Sequence, residues 1–254
     1  MGIVFLLDWA YGPLAAGFVS AFLLAFLGGF LTQESWPGLP VWWTRVSFYR
    51  LRSLLVLLPV LSLALAKRYD WSLVYVSHLV FCGALLLMSF IDIDLWVVDR
   101  RFSVLMVLLS WWMAIVWMGR TSYVHILGGV VGFLFFHGLS LLSYYLLKKE
   151  ALGFGDADVL AVIGAFLGVS ALPSVIFGAS MLGLLFVFFA WLWSIFQYFK
   201  NPKNEIKFTR VVPFVPFLAL SAMVESLFSG FWLKRILSLV HSLSFIFILA
   251  AKNL

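Results

Sequence analysis

The chain has 254 residues, of which 64% are hydrophobic and 11% charged, with a formal net charge of +6. Soluble domains are about half apolar and about a quarter charged, so this composition, with a mean hydropathy of +1.09, excludes an ordinary soluble protein and defines a polytopic α-helical membrane protein. The positive balance fits cytoplasmic loops of such a protein, not nucleic-acid binding, and the lone Cys82 excludes an internal disulfide or a paired-cysteine zinc site.

In chain order, apolar runs of bilayer-crossing length predict about eight spans, at 12–32, 48–66, 72–91, 102–118, 124–147, 159–177, 178–198 and 211–229. A last apolar stretch, 236–251, is either a ninth span or an interfacial helix. No signal-peptide pattern precedes the first run, which Asp8 interrupts. All 254 residues therefore read as one all-α integral membrane domain. Residues 12–91 form N-terminal helices, 92–230 a helical core that would carry the chemistry, and 231–254 a C-terminal extension. Residues 33–47, with Trp36, Trp42, Trp43, Pro37 and Pro40, read as a belt along the membrane surface. With the N-terminus outside, eleven Lys and Arg fall in cytoplasmic loops and five on the outer side. That topology puts the loops bearing Asp92 and Asp156 on one face, the cytoplasmic one.

Acids are scarce, eleven in all, and they cluster at two span boundaries. Asp92, Asp94 and Asp99 follow the third span. Asp92 directly ends an apolar run of about twenty residues, whereas Asp94 and Asp99 read as solvated or as partners for Arg100 and Arg101. The second cluster holds Glu150, Asp156 and Asp158 around the turn Gly153-Phe154-Gly155-Asp156, where glycine would allow a sharp turn and close approach of another segment. An acid at the mouth of a membrane helix is costly and is a functional candidate by default.

Two facing carboxylates cannot both ionise, so one keeps a proton. Such a pair suits amide hydrolysis: the ionised member draws a proton from water while the protonated one donates to the carbonyl oxygen. That chemistry needs no metal, and the single histidines 78, 125, 137 and 241 are not spaced as ligands. A third feature, Pro213-Phe214-Val215-Pro216-Phe217, either starts a helix with proline in its first turn or leaves unwound backbone able to pair with an extended substrate.

These stretches resemble the type IV prepilin peptidases. Phe90-Ile91-Asp92-Ile93-Asp94 with Val97-Val98 is similar to that family's first aspartate motif. Glu150-Ala151-Leu152-Gly153-Phe154-Gly155-Asp156 with the following apolar run is similar to the second, and Val212–Ala219 to its proline motif. The likeness runs from about Ser89 to Gly230. It implies a membrane aspartyl protease of the GxGD type with Asp92 and Asp156 as catalytic pair. Gly153, Phe154, Gly155, Glu150, Asp158 and Asp94 would support the site, and Pro213, Phe214, Pro216 and Phe217 would lie near the substrate. The implied partners are membrane lipid and a prepilin or pseudopilin with a basic leader ending in glycine, cut at the cytoplasmic face of the cytoplasmic (inner) membrane. Proteolysis would need no cofactor, and S-adenosylmethionine enters only with N-methylation of the product.

The chain departs from that pattern in lacking the cysteine-bearing zinc domain found in many bacterial members. It has Asp99-Arg100 where Pro-Asp is frequent, Asp158 where lysine is frequent, and Val215 where glycine is usual. Two alternatives stand beside the leader peptidase: a GxGD protease resembling signal peptide peptidases, and a small transporter. Oligomeric state is not legible in the residues.

Overall fold

The computed structural model describes residues 12–17, 19–20, 43–148, 153–200 and 212–229. Among these, every regular element is helical. Seven longer helices follow in order: α1 (Trp43–Tyr69), α2 (Leu73–Leu95), α3 (Arg100–Trp112), α4 (Ser122–Leu147), α5 (Phe154–Leu167), α6 (Leu172–Lys200) and α7 (Val215–Leu227). A π-helical turn, Met113–Trp117, prolongs α3. Among the described residues, four stretches are long and apolar enough to cross a membrane: Leu73–Leu95, Arg100–Trp117, Ser122–Leu146 and Val169–Lys200. The expected spans beyond residue 20 in 12–32, the belt residues 33–42, Glu150, the basic stretch 201–210 and the 236–251 segment lie outside the described residues.

Local sequence sets most of the helix ends. Ser72 caps α2, its hydroxyl accepting from the Tyr75 amide at 3.3 Å. Asp99 caps α3, accepting from the Arg101 amide at 2.8 Å. Asp99 thus serves the backbone of Arg101. The α2–α3 link is only Trp96–Asp99, turned by Trp96 in the left-handed region at φ 58°.

One expected boundary is corrected. The run read as spans 159–177 and 178–198 breaks about ten residues earlier. Helix α5 stops at Leu167, Gly168 takes φ 90°, a 3-10 turn covers Val169–Ala171, and α6 runs from Leu172 for 29 residues. Gly168 followed by Pro173 is an ordinary stop and restart, glycine just past one helix and proline in the first turn of the next. Unbroken hydropathy across 159–198 hid it. With 14 residues, α5 is about 21 Å long at 1.5 Å per residue, short of the roughly 30 Å hydrocarbon layer.

The tightest crossing joins α4 to α5. A Cβ on Gly128 would collide with the Gly164 carbonyl oxygen, and the reverse collision awaits a Cβ on Gly164. One turn on, a Cβ on Gly132 would stand 2.6 Å from the Leu160 carbonyl oxygen. Apolar helices gain little from the hydrophobic effect in lipid, so close backbone approach through small residues is how they grip. The His125 ring adds a 3.1 Å hydrogen bond to the Ala165 carbonyl.

Helices α2 and α7 run antiparallel, with Asp92 beside Val215 at one end and Cys82 Sγ 3.9 Å from Ser226 Oγ towards the other. The same alternation continues through α3 to α6. It gathers residues 92–100, 153–158 and 212–215 at one end of the bundle. Residues 69–72, 120–125, 165–172 and 225–228 lie at the opposite end, where Gly12 packs against Trp71.

Candidate functional site

Asp92 stands in the last turn of α2 and is 8% exposed. It receives a hydrogen bond from the backbone N–H of Val215, the first helical residue of α7. The proline motif makes that donor available. At a helix start the first four N–H groups lack intrahelical partners. Pro216 has none to offer, and the Phe217 and Leu218 amides bond the Phe214 carbonyl at 3.1 and 3.2 Å. Val215 is left to donate outward, and Asp92 takes it. Residues Val212–Phe214 are not helical, so α7 begins four residues later than the expected 211. The second carboxylate oxygen of Asp92, Oδ2, is buried and without a hydrogen-bond partner. Such a group is costly in a folded protein and marks a place where a ligand or water belongs.

Asp156 occupies the first turn of α5 and is 7% exposed. Its Oδ2 accepts from the Gly153 amide at 3.2 Å, while its own amide bonds the Gly153 carbonyl at 3.1 Å. Burial pushes its carboxyl up to about 7, the negative charge of Asp92 adds to the rise, and the Gly153 N–H holds it back. The two acids, 64 positions apart in sequence, thus feel each other's charge at one end of the bundle.

The glycines divide in their roles. A Cβ on Gly155 would meet Val98 Cγ2 at 2.8 Å, so Gly155 lets the α2–α3 link lie against the first turn of α5. Gly153 needs no such freedom. Its φ of −67° suits any residue, and an added Cβ would meet Asp156 Oδ2 at an ordinary 3.5 Å. The expected sharp glycine turn is therefore not what this position uses.

Asp158, also expected near the site, is 8% exposed. Its Oδ2 lies 3.5 Å from Arg100 Nε. Burial raises its carboxyl and the Arg100 guanidinium opposes the rise. Asp94 is exposed on the outer side of the last turn of α2. Phe214 contacts Phe136 and Phe217, ring centres 6.1 and 6.5 Å apart, and Phe217 contacts Phe186 at 5.6 Å. The proline motif's aromatic rings thus pack against α4 and α6, next in sequence to Val215, which faces Asp92. Among the described residues no three His, Cys, Asp or Glu side chains gather as metal ligands.

Sequence reasoning missed three participants. The Val215 amide is a backbone group and leaves no side-chain signal. Val98, in the first motif, and Arg100, at the start of α3, show their contacts only once α5 is placed against them. A fourth buried acid, Glu225, accepts from Ser174 Oγ at 2.7 Å. It belongs to no motif and lies ten residues along α7, about 15 Å from the Asp92 end.

Residues 79–188, which include both aspartates, match the type IV leader peptidase family. A prepilin leader peptidase/N-methyltransferase of Myxococcus xanthus (strain DK1622) is 33% identical over 125 residues, 49% of this chain and 37% of that protein. The protein of the same name from Neisseria gonorrhoeae is 29% identical over 124 residues, 47% of this chain and 42% of its own length. That of Pectobacterium carotovorum subsp. carotovorum is 29% identical over 166 residues, 63% of this chain and 56% of its own length. The chain thus spans between about a third and just over half of these relatives. No solved structure matches it. The part of the chain that matches the type IV leader peptidase family, residues 79–188, thus carries both aspartates and the Val98–Gly155 contact between them.

Proposed function

We propose that this chain is a membrane aspartyl endopeptidase that removes the leader from type IV prepilins or pseudopilins, with Asp92 and Asp156 as its catalytic pair. The observation that supports the reading is the burial of two carboxylates at one end of the bundle on different helices, with the charge of Asp92 among the causes that raise Asp156. Their surroundings suggest a division of labour. Asp92, with one oxygen fixed by the Val215 amide and Oδ2 unbonded, is the base. Asp156, whose carboxyl is raised to about 7, carries the proton.

A water between them attacks the scissile carbonyl carbon and gives its proton to Asp92, while Asp156 protonates the carbonyl oxygen. On collapse, the C–N bond breaks, Asp92 passes its proton to the leaving amine and Asp156 recovers its own. The non-helical Val212–Phe214 segment offers backbone to an extended substrate strand, and Phe214 and Phe217 offer apolar contact. S-adenosylmethionine would supply a methyl group for N-methylation of the product, the second activity in the relatives' names. No proteolytic step above uses it.

The membrane reading follows the charge distribution. Arg45, Arg100, Arg101, Lys148 and Lys200 lie toward the aspartate end, against Lys67, Arg68 and Arg120 toward the other, which by the positive-inside rule supports a cytoplasmic aspartate end. The packing of Gly12 against Trp71 at the opposite end supports the reading of an outer N-terminal side, in a proposed fold of about eight spans in the cytoplasmic membrane.

The test is cleavage of a prepilin reporter, a basic leader ending in glycine followed by an apolar helix, in proteoliposomes. Asp92→Asn and Asp156→Asn each abolish cleavage while the variants stay folded, with thermal transitions no lower than that of wild type. Cleavage surviving in either variant refutes the pair.

A further inference from the structure

Arg100 and Asp158 carry no assigned role, yet they bridge the two elements that hold the candidate catalytic acids. We infer that this ion pair is a clasp that sets the spacing of Asp92 and Asp156, making Arg100 and Asp158 positioning residues. The inference rests on the peptidase reading above for its catalytic meaning, but its geometry stands by itself.

Arg100 is the first residue of α3, and the link back to α2 is only Trp96–Asp99. So short a link ties the position of Arg100 to the last turn of α2, where Asp92 stands. Asp158 is two residues past Asp156 on α5. At about 100° per residue it points about 200° away from Asp156, and it faces Arg100, with His137 of α4 also adding positive potential. It is therefore not a third member of the pair. Its environment is that of a tether: side chain 10% exposed, with the guanidinium nitrogen 3.5 Å from Oδ2.

The clasp works with a second contact. Val98 rests on Gly155, immediately before Asp156, and Arg100 holds Asp158, just after it. The link is thus pinned to α5 on both sides of the catalytic position. Helix α5 is itself fixed to α4 by the glycine crossing, so what remains free to shift is the α2 end bearing Asp92.

An exposed ion pair contributes little, and the Arg100 side chain is 64% exposed. Asp158 changes the balance, because removing its partner leaves a buried carboxylate uncompensated. Misplacement by about 1 Å is enough to cost about a hundredfold in rate, so a loose clasp acts on turnover before it acts on folding.

The test is a charge swap. Arg100→Asp and Asp158→Lys each place like charges together, and the double variant restores the pair with reversed sign. Two readouts are taken in proteoliposomes. The first is kcat and KM on the prepilin reporter, per folded enzyme judged by thermal transition. The second is the distance distribution between spin labels on Val97→Cys and Lys148→Cys, in a Cys82→Ser background, by pulsed electron resonance.

Each single variant is expected to lose about tenfold or more in kcat with KM within about twofold, and to broaden the distance distribution. The double variant recovers both. A double variant no better than the singles, losses that only track the folded fraction, or a distribution unmoved by the single changes each overturn the clasp. Should wild-type enzyme leave the reporter uncut, the peptidase reading fails, and the spin-label distances alone decide the clasp.

Discussion

Val98 lies where a side chain on Gly155 would have to go: a Cβ there would stand 2.8 Å from Val98 Cγ2 and 2.9 Å from Val98 Cβ. The contact joins the loop after Asp92 to the first turn of the helix that carries Asp156. In physical terms, the small residue in the Gly-x-Gly-Asp turn is a docking face for the opposite motif.

Gly155→Ala is accordingly a test of site geometry. Overpacking a close contact typically costs about 1–3 kcal/mol, and here the strain is relieved most readily by moving the Val98 loop. The variant is expected to melt a few degrees lower and to lose prepilin cleavage by at least about tenfold. Val98→Ala in the same background makes room for the added methyl and restores part of the activity. A Gly155→Ala enzyme with wild-type turnover shows that the contact does not govern the site.

Asp156 gives a pH prediction with a defined sign. Its folded-state carboxyl is raised from 3.8 to about 7, first by burial and then by the charge of Asp92. The native state therefore binds this proton more tightly than the unfolded chain does. The corresponding stability is complete below about 3.8 and is lost as pH climbs through about 7. Asp156→Asn has no charge to bury, so it melts above wild type near pH 8 and close to it near pH 4. In the wild-type enzyme, kcat falls as pH rises past about 7, because the proton donor is lost. Thermal unfolding in detergent across pH reads the first effect and reporter cleavage the second. An inactive Asp156→Asn with no gain at high pH counts against the assignment of the raised carboxyl to this residue.

The α4–α5 crossing separates two glycines on one helix. Gly128 touches the Gly164 backbone, whereas a Cβ on Gly138 would meet nothing within 4 Å. Gly128→Val prevents the helices from closing, and the protein is expected to be lost from the folded, detergent-soluble fraction. Gly138→Ala keeps the contact and gains about 0.5–1 kcal/mol from a less flexible unfolded chain. Size-exclusion profiles and melting temperatures of the two variants check the contrast. Equal tolerance at both positions refutes the crossing.

The sequence by itself determined the helical, apolar class, because hydropathy acts over a few turns of one chain segment. The proline motif marks a helix start a few residues from where the backbone forms it, and Asp92 and Asp156 stand out because acids at the mouth of an apolar run are costly. The same locality limited the reading. The break at Gly168 was hidden in an unbroken apolar run, since hydropathy does not register a glycine in the left-handed region.

Only the tertiary structure decided which groups meet. Asp92 reaches the Val215 amide because α2 and α7 pack antiparallel. Arg100 meets Asp158 because α5 lies against the α3 start, and Glu225 is buried with Ser174 of α6 against it. Those choices depend on how side chains fill the spaces between helices far apart in the chain, and no short stretch of residues contains that information.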